Sequence, residues 1–73
     1  MGTFPVGSLP IGVVFDGVNI WVSNDQDGTV TKLRASDGAT LGTFSAGGFP
    51  SGMAFDGANI WVANFSSNTV SKM

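Results

Sequence analysis

Shifted along itself by forty residues, the chain matches itself: Gly2-Thr3-Phe4 falls on Gly42-Thr43-Phe44, and Phe15-Asp16-Gly17 falls on Phe55-Asp56-Gly57. Of the 32 positions from Gly2 to Leu33, 17 are identical to their partners, among them Asn19-Ile20-Trp21-Val22 on Asn59-Ile60-Trp61-Val62. A repeat this faithful obliges both halves to fold alike. The question is then what fills one period, because spacings near forty suit sheet-based blades as well as some helical arrays.

Residue types answer it. Gly12-Val13-Val14-Phe15 and Asn19-Ile20-Trp21-Val22-Ser23 are short runs rich in β-branched and aromatic residues, joined by Asp16-Gly17, a dipeptide suited to a tight hairpin turn. Thr29 to Leu33 leads through Ala35-Ser36-Asp37-Gly38 into Ala39 to Phe44, a second hairpin with a second Asp-Gly. No window keeps an apolar period of 3.6 residues, and eleven Gly and three Pro interrupt any helix. Four antiparallel strands per forty residues is the content of a β-propeller blade, whose sheet is covered on both faces by its neighbours. Cover on both faces accounts for the unbroken apolar runs at Val13 to Phe15 and Ile20 to Val22. Trp21, Trp61, Phe4, Phe15, Phe44 and Phe55 then read as packing anchors between blades rather than as a binding platform. The fold expected is all-β: a propeller with two four-stranded blades per chain, its ring completed by homo-oligomerisation.

Composition bounds the partners. Charged residues make up 11% of the 73, where a soluble domain averages roughly a quarter. Three Lys and Arg against five Asp leave a net charge of −2, too few cations for a nucleic-acid surface. No stretch approaches the roughly 20 apolar residues of a membrane span, and Met1-Gly2-Thr3-Phe4 is no basic start to a signal peptide. An apolar chain this short hides surface best against copies of itself. Without Cys there is neither a disulfide nor a thiolate site, and without His, Glu or Tyr the usual acids and bases of catalysis are missing.

The pattern Pro-x-Gly-x-x-Phe-Asp-Gly-x-Asn-Ile-Trp-Val-x-Asn, followed by Thr-Val-x-Lys, occurs at Pro10 to Lys32 and again at Pro50 to Lys72. It resembles the blades of the NHL, YVTN and virginiamycin B lyase-like propellers over nearly the whole chain. That resemblance implies a propeller fold and says little about activity, since such propellers include lyases, lactonases and pure binding modules. The lyase chemistry is understood to need a His and a metal-binding Glu, and the chain has neither.

With strands lettered A to D from the axis outward, the expected order is an outer strand D at about 2–6, a full blade at about 9–46, and strands A to C at about 49–73. Two full periods would need 80 residues; the seven lacking correspond to Arg34 to Thr40, the turn between C and D. Strand C at the end and strand D at the start are each an edge that the other would complete. Closure between copies is therefore expected through Gly2, Thr3 and Phe4 of one chain and Thr69, Val70 and Lys72 of the next, head to tail. Three chains give six blades, the preferred ring by analogy with short NHL-like blades; four give eight.

Chemistry in a propeller sits on its loops. Asn24-Asp25-Gln26-Asp27-Gly28 resembles the start of a calcium loop but lacks its spaced ligands, and its counterpart Asn64-Phe65-Ser66-Ser67-Asn68 has no carboxylate, so both read as turns. Lys32, Lys72 and Arg34 read as a solvated rim, with a salt bridge to a turn Asp as the next choice. Three functions follow: a self-assembling scaffold without catalysis, metal or cofactor; a module binding a small molecule or glycan through Asn24, Asp25, Asn64 and Phe65; and, least, a lyase-like enzyme.

Overall fold

The computed structural model describes residues 3–73. Seven strands follow in order: β1 (Pro10–Phe15), β2 (Asn19–Asn24), β3 (Thr29–Arg34), β4 (Thr40–Ser45), β5 (Pro50–Phe55), β6 (Ile60–Asn64) and β7 (Thr69–Lys72). No helix occurs among the described residues. β1 to β4 form one antiparallel sheet in sequence order, and β5 to β7 form a second. The chain is all-β, with one hairpin after another.

The hairpin turns differ in detail from a turn centred on Asp-Gly. The Asp16 N–H donates to the Asn19 carbonyl at 3.0 Å, so the bend itself falls on Gly17 and Val18. Gly17 stands at φ 96° and its counterpart Gly57 at φ 100°, a region where a side chain is strained. Asp16 serves as the side-chain cap of the turn: its Oδ1 accepts from the backbone N–H of Val18 (2.9 Å) and of Asn19 (2.6 Å). Asp56 does the same with Ala58 and Asn59. Gly28, read as a turn glycine, has φ 69°.

Each sheet has two chemically distinct sides, because successive side chains alternate. Register places Val14, Trp21, Ser23, Val30 and Phe44 on one side of the first sheet, the Trp face, and Val13, Phe15, Ile20, Val22 and Leu33 on the other, the Ile face. Forty residues on, Ala54, Trp61, Ala63 and Val70 form the Trp face of the second sheet, and Met53, Phe55, Ile60 and Val62 its Ile face. The sheets stack with the Trp face of the first on the Ile face of the second. Trp21, Val30, Ile60 and Val62 make the buried core between them, flanked by Val14, Ala46, Met53 and Met73. At the β1–β2–β5 crossing, Ser23 Oγ donates to the Ser51 carbonyl at 2.6 Å.

Residues 3–6, expected to belong to the outer strand at about 2–6, form no strand and pair with none among the described residues. The physical reason is that a strand exists only by pairing, and the second sheet lies on the far side of the first from Phe4. Gly2, the remaining residue of that expectation, lies outside the described residues.

Candidate functional site

The loop residues expected to contact a ligand are divided by the structure into two kinds. Asn24 and Asn64 are buried at the ends of β2 and β6. Asn24 Nδ2 donates to Thr31 Oγ1 (2.8 Å) and Thr29 Oγ1 (3.2 Å), while its Oδ1 accepts from the Gly7 N–H at 3.1 Å. Asn64 repeats the set with Ser71, Thr69 and Gly47. Both amide hydrogens and the oxygen hold partners within the fold, so in the structure these asparagines act as clamps. Each fastens the segment entering one sheet to the hairpin of that sheet. Their signal in the sequence is the pattern Asn, then hydroxyls at five and seven residues on, present in both repeats.

Asp25 and Phe65 occupy equivalent loop positions with different exposure. Asp25 is half-buried and donates its N–H to the Leu9 carbonyl at 2.9 Å; Phe65 does likewise to Phe49 at 3.1 Å, while its side chain is 77% exposed. Leu9 and Phe49 stand at φ 56° and 49°, matching non-glycine residues in the left-handed region. The bonds of Asn24 stay within the first repeat and those of Asn64 within the second. Among the described residues no cluster of three acidic, His or Cys side chains stands ready for a metal.

A second constellation, unforeseen in the sequence, joins turn to strand. Asp16 Oδ2 accepts from Trp21 Nε1 at 2.8 Å, and Asp56 Oδ2 from Trp61 Nε1 at 2.7 Å. Lys32 Nζ lies 5.1 Å from the Trp21 ring centre and Lys72 Nζ 5.5 Å from that of Trp61. The hydrogen bonds from Asn19, Trp21 and Val18, with the charge of Lys32, hold the Asp16 carboxyl below its ordinary range. The Trp61 hydrogen bond, those of Asn59 and Ala58, and Lys72 lower Asp56 to about 2. A repeated spacing of five from Asp to Trp is the sequence signal. Arg34 meets Asp37 at 3.2 Å, an exposed pair of small energetic weight.

One exposed feature of the second sheet is apolar. Val30 is fully buried, yet its counterpart Val70 is 62% exposed; Trp21 is 9% exposed and Trp61 38%. Gly52, Ala54, Ala63, Trp61 and Val70 line a shallow cleft on the Trp face of the second sheet. On the opposite end of the stack, the Ile face of the first sheet leaves Val13 67% and Phe15 54% exposed. Thr69, Val70 and Lys72 are exposed along the outer edge of β7, which pairs only with β6. Phe4 lines a separate cleft with Ile20, Leu33 and Gly38, approaching so closely that a Cβ on Gly38 would come within 2.6 Å of its ring. Compared with protein-family models and with curated proteins, the chain matches none of either.

Proposed function

We propose that the chain is a self-assembling β-propeller unit of the NHL or YVTN-like kind, without catalytic activity of its own, in which copies stack head to tail into a ring. One observation carries this reading. Among the described residues the sheet-on-sheet contact joins a Trp face to an Ile face, and the two outward faces, open at Val13 and Phe15 on one and at Trp61 and Val70 on the other, are one of each kind. Because the two repeats share 17 of 32 positions, among them Phe15, Ile20, Trp21, Val22 and Val30, the outward Ile face of one copy presents to the outward Trp face of another a surface similar to the one that packs inside each chain. Covering Val70 and Trp61 would give them the burial that Val30 and Trp21 have, with hydrophobic transfer of apolar area as the driving force. Such a contact is heterologous, so it closes only as a ring. Three copies, giving six blades, are the preferred closure and four the next.

The test uses two variants and native mass spectrometry. Wild type is expected at a multiple of the chain mass, with three copies favoured. Val70→Asp spoils only the Trp face and Val13→Asp only the Ile face, so each alone should be monomeric. Mixed, they retain one good face apiece and should form a one-to-one complex. A wild-type monomer, or a Val13→Asp variant that still self-associates, overturns the head-to-tail reading. A module binding a small molecule or glycan is the second reading, favoured by the exposure of Phe65.

A further inference from the structure

We infer that residues Thr3 to Val6 of one copy complete the three-stranded sheet of another, as an outer strand antiparallel to β7 with Phe4 opposite Val70. The inference rests on the head-to-tail reading and adds to it the segment, the edge and the register.

The edge is set by hydrogen-bond polarity. Ile60 and Met73 exchange backbone bonds, Ile60 N–H to Met73 carbonyl at 3.4 Å and Met73 N–H to Ile60 carbonyl at 2.7 Å. Alternation along an antiparallel ladder then turns the N–H groups of Ser71 and Thr69 toward β6 and those of Val70 and Lys72 outward. In the first sheet the corresponding residues Val30 and Lys32 face β4, opposite Phe44 and Gly42. The outward groups of β7 have no strand beside them.

The donor is already positioned. Asn24 holds the Gly7 N–H at 3.1 Å as Asn64 holds that of Gly47 at 3.0 Å. The Asp25 bond to Leu9 repeats the Phe65 bond to Phe49. Residues 7–9 therefore enter β1 as residues 47–49 enter β5, and the segment before them lies where β4 lies relative to the following sheet. Phe4 sits on the Ile face of its own first sheet, against Ile20 and Leu33. The same chain's β7 cannot accept it, because the second sheet is stacked on the opposite, Trp face.

Register follows by translating the β3–β4 pairing by forty residues. Val30↔Phe44 becomes Val70↔Phe4, Thr31↔Thr43 becomes Ser71↔Thr3, and Thr29↔Ser45 becomes Thr69↔Pro5. The Ala46 N–H donates to the Gly28 carbonyl at 2.9 Å, which makes Thr29↔Ser45 a pair without direct hydrogen bonds. Pro5, which has no N–H, thus falls where none is needed. Phe4 takes the place beside Trp61 that Phe44 takes beside Trp21, at 5.8 Å between ring centres. One side chain would then pack on its own first sheet and on the neighbour's tryptophan together.

Backbone amide exchange, followed by NMR on the full-length assembly, reads this directly. The Val70 and Phe4 amides should exchange about a hundredfold or more slower than unstructured amides, as paired strand amides do. An inter-chain Hα–Hα contact between Thr3 and Ser71, in a sample mixed from two isotope labellings, should fix the register. An intact oligomer whose Val70 amide exchanges freely, or whose contact joins other residues, overturns strand donation and leaves the head-to-tail reading standing. A monomer overturns both.

Discussion

Residue-scale chemistry in this chain is that of asparagines and aspartates used as fasteners. Replacing Asn24 by Ala would leave the Gly7 N–H and two threonine hydroxyls short of a partner, that of Thr31 in a buried setting. Loss of such bonds costs about 1–3 kcal/mol. Asn24→Ala should accordingly lower the melting temperature, whereas Phe65→Ala, on an exposed loop side chain, should leave it nearly unchanged; calorimetry compares the two. Asp16 and Asp56 add a pH dependence. Their folded carboxyls titrate below the ordinary value of 3.8, so the stability they contribute is present in full above that value and is lost as pH falls through the folded one. For Asp56 the window runs from 3.8 down to about 2. Thermal melts across that interval should show a fall that Asp56→Asn makes shallower.

At the scale of single elements, the entry into each sheet carries strain. Leu9 and Phe49 hold φ 56° and 49°, a conformation that costs a residue with a side chain roughly 1–2 kcal/mol. Both are exposed, so little packing offsets the strain. Leu9→Gly should therefore raise stability by about 1 kcal/mol or leave it unchanged, where a glycine inside a strand would lower it. Chemical denaturation of the variant checks this, and a marked loss would mean that the Leu9 side chain is covered in the assembly.

On the scale of the whole molecule, the stack is open at both ends. Exposed Trp61 and Val70 at one end and Val13 and Phe15 at the other make a lone chain poor at excluding water from its sheets. Stability in the proposed assembly depends on chain concentration, so tenfold dilution should lower the melting temperature. Phe4→Ala should weaken assembly more than Phe65→Ala. Burying a Phe is worth roughly 1.5–3 kcal/mol, and in the proposed ring the loss recurs at every interface. Sedimentation velocity of the two variants at one concentration makes the comparison; equal behaviour would remove Phe4 from the interface.

Strand content and its order were legible in the sequence because they are local. Apolar runs of four to six residues between Asp-Gly turns leave few alternatives, and a repeat at an offset of forty residues makes the second half follow the first. Turn asparagines and aspartates were legible as turn formers, and Asn24, Asp25 and Asn64 also as candidate ligand contacts, but not by the partners they hold. The partners of Asn24 lie at Gly7, Thr29 and Thr31, and that of the Asp16 carboxylate at Trp21; register and the path of the incoming segment bring them together. Tertiary structure alone decided which faces are covered. The repeats offer the same two kinds of face, and Thr29-Val30-Thr31-Lys32 reads almost as Thr69-Val70-Ser71-Lys72, so their immediate neighbours do not distinguish the buried Val30 from the exposed Val70. What separates them is stacking order together with the strand alongside: a directional stack of two sheets covers the Trp face of the first, and β4 flanks Val30 where Val70 stands on an edge strand.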